Sequence, residues 1–394
     1  MCLKRMKPIV YAALLASVCM PITENLSYAE TASCAVFEES EIKQYALENW
    51  DEDGDGCINA QEADNVRDIP IMAFYKKNLK TLNDLKQFNN LDTIGESAFR
   101  ACKALTVIDL PQIKYIADNA FTDTAAYEIN LPNVVEIGEE AFLNARPNVT
   151  KPKVTYRFPK LRKLGPSAFA NITPQAPAEA SYFLGTNIPK NAYKNNRLIS
   201  KFSLTSQSDK FALTAQSNEI EIGISAFESS SIQSFTVSGG HVGIARDAFA
   251  NSSLTTFTGP RAPGLYENPS SPGIRLSEAS IHLIGDGAFK NTKLTKLNIF
   301  IDMYAFRSNY CKSKDTQYCP GAHIFEGTNL KVLYMEAPMA RCALLESNFQ
   351  TEVFDSIDTE EIILKVPIDL KKLSDTEWSG GFFWKEWQSI QFIR

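Results

Sequence analysis

The residues best placed to do chemistry stand in one run of twelve, Asp51-Glu52-Asp53-Gly54-Asp55-Gly56-Cys57-Ile58-Asn59-Ala60-Gln61-Glu62. Carboxylates recur at Asp51, Asp53 and Asp55, and another follows at Glu62. A hard cation such as calcium takes about six to eight oxygen ligands in a flexible shell. Gly56 permits the sharp turn that brings later ligands round to the first three. Cys57 offers its backbone carbonyl, Asn59 an oxygen used directly or through water, and Glu62 both oxygens of its carboxylate. The bland alternative is an acidic surface turn that holds no ion. No other stretch points to a reaction. His241, His282 and His323 are the only histidines, with no HExxH pair and no nucleophile elbow. Glu139-Glu140 and Glu360-Glu361 read as solvated charges. A hydrolase would need a carboxylate pair or histidine cluster converging in a pocket, and the expectation is a protein that is not an enzyme.

The elements that position the acidic run are two helices. Val36, Ile42, Tyr45, Ala46 and Trp50 approximate a 3.6-residue period before it. A second helix is expected from Asn59 to about Arg67. The run resembles the EF-hand calcium loop, with Asp51, Asp53, Asp55, Cys57, Asn59 and Glu62 at the ligand positions. The resemblance implies calcium as cofactor. Sensor EF-hands come in pairs, and no second loop is visible, so the single, dockerin-like loop is expected to brace structure.

The first residues read as an export signal. Lys4, Arg5 and Lys7 precede the apolar run Ile9 to Met20, and Ser27-Tyr28-Ala29 supplies small residues for cleavage after Ala29. The apolar run is too short to span a bilayer, so no transmembrane segment is expected after its removal. Lipidation at Cys19 is the lesser alternative, because Val18 fits poorly before a lipidated cysteine. The net charge of -6 argues against nucleic acid as partner, since no basic stripe is present. Export permits disulfides. Of Cys34, Cys57, Cys102, Cys311, Cys319 and Cys342, the pair flanking a polar loop, Cys311 with Cys319, is the first expectation, and Cys34 with Cys57 a plausible second. That disulfide explains Cys311 better than a nucleophile beside His323.

Most of the chain is repetitive. Ile94 to Phe99 reads IGESAF, and versions end at Phe121, Phe142, Phe169, Phe227, Phe249 and Phe289. Weaker copies end at Tyr193, Phe306 and Phe325. Phe99, Phe121 and Phe142 lie 22 and then 21 residues apart, the period of a leucine-rich solenoid. Between copies runs an apolar-x-x-apolar-x-apolar strand, as in Leu105, Ile108 and Leu110. The expected organisation is a signal peptide over 1–29, a helical cap over 30–90 with the calcium loop at 51–62, repeats over 91–360, and a C-terminal capping segment over 361–394. The units resemble the BspA-like leucine-rich repeats of bacterial surface proteins, in IGxxAF itself, in Cys102 after Ala98-Phe99, and in Leu110-Pro111 and Leu131-Pro132. Most units lack the cysteine, and several carry insertions. The resemblance implies a curved solenoid at the cell surface or secreted, adhesion or host-protein binding, no catalytic residues, and a buried, unpaired Cys102.

Insertions rich in Pro, Ser, Asn and Gly run roughly over 143–153, 171–188, 205–219, 259–281 and 307–321 and are expected to be loops. They serve either binding or nothing, since loops tolerate length cheaply. Side chains between buried strand positions should form a polar outer face. Its candidate contact residues are Tyr127, Asn130, Thr256, Lys296 and Tyr334. Strand preference explains its threonines equally well. At the C-terminus, Trp378, Phe382, Phe383, Trp384 and Trp387 read as an end cap over the last core layer, with a carbohydrate platform as the alternative. The expected function is adhesin-like contact with an extracellular protein or glycan, and the alternative is a scaffold component of a cell-envelope complex.

Overall fold

Among the described residues, seventeen other than glycine adopt positive φ, and each lies two positions before or two after one aromatic residue of its repeat. Ser97 (54°) and Ala101 (61°) bracket Phe99, Asn119 (59°) and Asp123 (62°) bracket Phe121, and Asn251 (58°) follows Phe249. The chain around each aromatic is therefore a doubly kinked turn. Asn, Asp and Ser fill most of these positions because their short polar side chains tolerate the left-handed region. The kinks aim successive backbone N–H groups in alternate directions. Within the unit, Ala98 N–H donates to Gly95 O and Arg100 N–H to Ser97 O. Towards the next unit, Ser97, Phe99 and Ala101 donate to Asp118, Ala120 and Thr122.

The structure is a computed structural model. It describes residues 33–393 except 148–152, 177–178, 185–186, 206–218, 239, 260–264, 268–274, 278, 307–315, 337–350 and 368–386. The chain divides into two compact units, Met1–Ser33 and Cys34–Arg394, and the repeats all lie in the second. The expected signal segment, Trp378, Phe382, Phe383, Trp384, Cys311 and Cys342 lie outside the described residues.

The aromatics of successive turns stack into one column. Phe74, Phe99, Phe121, Phe142, Phe169, Tyr193, Phe227, Phe249, Phe289, Phe325 and Phe354 follow one another with centroids 5.0 to 6.0 Å apart and planes within 12° of parallel. Two members were not expected. Phe74 closes Ile69-Pro70-Ile71-Met72-Ala73-Phe74, so the column starts inside the stretch read as cap. Phe354 closes a short 3-10 turn, Thr351–Phe354. Phe306, read as a repeat copy, is not a rung: Phe289 stacks directly on Phe325, and Phe306 meets Phe354 edge-on at 5.4 Å. A second column from Tyr182 through Phe202 and Phe235 to Phe257 stands edge-on to the first, with Phe202 to Phe227 at 5.1 Å and 80°.

Parallel strands flank this interior as ladders. Short strands at Asp68–Ile69, Thr93–Ile94, Tyr115–Ile116, Glu136–Ile137 and Lys163–Leu164 form the first. The glycines after Ile94, Ile137 and Leu164 are required by crowding: a Cβ on Gly165 would meet Glu139 N at 2.3 Å. Its N–H donates to Ile137 O at 2.7 Å. Pro189 occupies the same place in its unit and has no N–H to give. The short ladder stops at Leu164, and pairing resumes with the isolated bridge Ile188 to Ile222. On the opposite side, Val107–Asp109 pairs with Glu128–Asn130. A broad ladder then runs through Lys153–Arg157, Glu179–Leu184, Ile199–Thr205, Ser234–Ser238, Thr256–Thr258 and Lys296–Asp302 to Val332–Glu336, Ile363–Pro367 and Ser389–Ile393. Ala279–Ile284 pairs with Lys296–Asp302 and joins the two sides into a twelve-stranded curled sheet.

The insertions are not all loops. Glu179–Leu184 is a full ladder strand with Tyr182 buried, hidden in sequence because ASYFL lacks the leucine-type spacing. Leu265–Glu267 and Arg275–Ser277 form an antiparallel hairpin. Before the repeats, helix α1 spans Ser40–Asn49 and α2 spans Ala60–Asn65. Ile42 and Ala46 are buried, whereas Val36 precedes the helix and is exposed. Tyr45 and Trp50 of this segment reach Phe74 and Phe88, with centroids 4.9 and 4.8 Å away.

Phe227 touches both columns, so Phe227→Ala is expected to cost about 3–5 kcal/mol through lost burial and an unfilled cavity. Its urea midpoint should fall accordingly, and an unchanged midpoint would show that the columns do not carry the stability.

Candidate functional site

The acidic loop lies between α1 and α2, and the structure brings Asp51, Asp53 and Asp55 together. One carboxylate oxygen of each lies within 4.8 Å of the others. The loop is held by its own carboxylates: Asp51 Oδ1 accepts from Gly54 N at 2.6 Å and Asp51 Oδ2 from Gly56 N at 2.9 Å. Gly54 and Gly56 both have positive φ. Asp53 shows the cost of the crowding. The Asp55 N–H lowers its carboxyl, but desolvation and the charges of Asp55, Glu62 and Asp51 together raise it above the usual range.

Asn59 and Glu62 are placed differently from the triad. Asn59 caps α2, accepting from Gln61 and Glu62, while Glu62 Oε2 accepts from Asn59 N at 2.9 Å, a reciprocal capping box. The other oxygen of Glu62 reaches back across the loop to Glu52 N at 2.8 Å. Cys57 bonds to Cys34 in a disulfide, which ties the loop to the chain before α1. Ala35 N–H donates to Ile58 O beside it. These residues present the oxygen donors a hard cation takes: two exposed carboxylates and one half-buried, with a buried glutamate turned toward the same loop.

The other candidate is the outer face of the broad ladder. Register sets Ser181, Lys201, Ser234, Thr256 and Lys296 side by side on consecutive strands. A second row holds Ser203, Thr236, Thr258 and Asn298. Their neighbours Phe202, Phe235, Phe257 and Leu297 point into the core. Lys296 and Thr256 therefore lie where the alternation predicts. Asn130 is exposed too and donates to Asp109 at 2.7 Å. Tyr127 does not belong to the face. It precedes the Glu128–Asn130 strand, where two-residue alternation does not yet apply, and its side chain is fully buried. Tyr334 is 6% exposed, because the register slips between Lys296 and Phe300 and sets Phe300 opposite it. Lys296 and Lys365 lie over its ring at 5.7 and 5.5 Å. At the strand starts, Lys153, Gln175, Arg197, Ser200 and Gln233 line an open groove of about 650 Å³.

The histidines were placed by the fold alone. His241 and His282 meet at 5.8 Å, and His241 Nδ1 lies 2.8 Å from Ser280 Oγ. Ser280 is 1% exposed, beyond the reach of a substrate. His323 faces Asp286 at 3.1 Å. Cys102 is buried and unpaired, donates to Phe74 O, and burial pushes its thiol up to about 12. Cys319 is disulfide-bonded, and Cys311, its expected partner, lies outside the described residues.

Stacked parallel turns with an apolar interior define a leucine-rich solenoid. The chain belongs to the BspA type leucine rich repeat region family, whose model matches six copies over residues 57–176, 159–265, 186–316 and 270–341. No curated protein matches the chain.

Burial pushes the His282 imidazole down to about 4, with His241 adding to the effect and a Val242 backbone hydrogen bond opposing it. The unfolded chain binds this proton near pH 6.5 and the folded chain only near pH 4, so stability is full above pH 6.5 and falls toward pH 4. The loss attributable to this group is at most about 3 kcal/mol. His282→Gln should flatten that part of the stability profile measured by denaturation between pH 7 and 4.5, and an unaltered profile would remove His282 as its source.

Proposed function

We propose that the chain is an exported, non-catalytic binding protein that contacts extracellular proteins or glycans through the outer face of its broad ladder. The observation that carries this reading is the face itself: polar side chains in register over consecutive strands, backed by two aromatic columns. Such a surface suits a broad contact built from many small terms. The N-terminal segment supports export. Among the described residues no helix is long and apolar enough to cross a membrane. The burial of Ser280 beside His241 favours packing over chemistry for this serine–histidine pair.

The same reading gives the acidic loop a structural calcium ion, in an EF-hand-like arrangement. Asp51, Asp53, Asp55, the Cys57 carbonyl, Asn59 and Glu62 would hold it, and the ion would supply positive charge where three carboxylates crowd. Its role is to brace the segment whose Tyr45 and Trp50 seal the first turns of the column.

Purified chain binding to a panel of extracellular-matrix proteins and glycans, with calcium and with chelator, tests the function. Saturable binding to a panel member supports it, and no binding to any member favours an envelope scaffold instead. The ion is read separately from melting temperature. Calcium at about a hundred times its Kd should add about 2.7 kcal/mol of stability, and Asp53→Asn should remove that increment. A melting curve indifferent to calcium would leave the loop a plain acidic turn.

A further inference from the structure

The outer face carries a charge pattern unlike the rest of the chain. The protein is acidic overall, at -6. Yet the two rows from Ser181 to Asn298 contain hydroxyls, an amide and lysines, and no carboxylate. Two acids of this ladder's surroundings are paired with cations: Glu179 with Lys153 at 3.6 Å, and Glu361 with Lys331. Lys201 and Lys296 are exposed and share one row, three strand steps or about 14 Å apart. The row of Lys296 continues through Val332 and Ile363, Lys365 lies two residues further along that last strand beside Tyr334, and exposed Arg197 stands at the groove by the strand starts.

Three features say what fits. Cations spaced by two or three strands match a polyanion of low charge density. The hydroxyls of Ser234, Thr236, Thr256 and Thr258 between them can donate to and accept from sugar hydroxyls. Among the described side chains of the two rows, none is an aromatic or apolar anchor of the kind other partners use. Protein interfaces rely on aromatic or apolar hot spots, and neutral glycans stack on exposed rings. Here Tyr334 is 6% exposed and covered by two lysines. Backbone edges are consumed in the ladder, so no strand between Glu179–Leu184 and Ile363–Pro367 is open to an added peptide strand.

We propose that the face from Ser181 to Lys365 docks a linear polyuronate in which carboxylate-bearing sugars alternate with neutral ones. This rests on the binding-protein reading and names its ligand class. Carboxylates sit at Lys201, Lys296 and Lys365, and the sugar hydroxyls lie along the Ser and Thr rows.

The experiment measures the full chain on immobilised hyaluronate, heparin, poly-glutamate and dextran at rising salt. The expected result is saturable hyaluronate binding that weakens with salt. The double variant Lys201→Gln, Lys296→Gln should bind about tenfold more weakly, as loss of two exposed charge contacts implies, with an unchanged melting temperature. Equal binding to dextran, a preference for poly-glutamate or for densely sulfated heparin, or indifference to the double variant overturns the proposal. A chain that binds matrix proteins but not hyaluronate sinks this inference and leaves the binding reading standing. Binding to none of the probes, and to no matrix protein, sinks both.

Discussion

Everything in this molecule depends on one repeated bond: the N–H of a turn aromatic donated to the alanine carbonyl of the next turn. Phe99 to Ala120, Phe121 to Ala141, Phe142 to Ala168 and Phe227 to Ala248 all fall at 2.7 to 2.8 Å. The bond sets the rise between units, and that rise is also the centroid spacing of the rings. Alanine fills most of these positions, and in a later turn Ile324 takes its place and accepts from Phe289 N at 2.9 Å. The left-handed residues on either side are needed because only a double kink points alternate N–H groups up the column. Strands, hydrogen bonds and aromatic stacking thus share a single repeat distance, and changing any one of them misfits the other two.

The same economy explains where the structure is irregular. A proline in place of glycine at Pro189 removes one donor, and the short ladder stops there. The curled sheet is completed elsewhere, by the Ala279–Ile284 and Lys296–Asp302 strands reaching one another. At the N-terminal end the column would expose Phe74, and the segment around α1 answers with Tyr45 and Trp50. The acidic loop and the Cys34–Cys57 disulfide hold that segment together, so the loop's charge and the column's end are one mechanical problem.

An interior fixed this firmly frees the surface to vary. Outward side chains contribute little to the column, and ion pairs between units, such as Lys163 with Glu136, are of the exposed kind worth about 0–1 kcal/mol. The outer face can therefore carry a row of lysines and hydroxyls without cost to the fold. That separation of a rigid inside from a permissive outside is why this architecture suits recognition.

The sequence by itself determined the repeat, the buried aromatic and alanine of each turn, the inward residues of the strands and the alternation of the acidic loop. Each of these depends on local spacing, and local spacing is written in the chain. It also holds a further signal, the Asn, Asp or Ser two residues before or after most of the aromatics. Only the tertiary structure decided which copies stack. Phe74 and Phe354 joined the column and Phe306 did not, because membership depends on a neighbour's height and not on a motif. It buried Tyr127, covered Tyr334, turned part of an insertion into the Glu179–Leu184 strand and paired His241 with His282. Those outcomes rest on register between units far apart in sequence, where a shift of one residue reverses the side a chain presents.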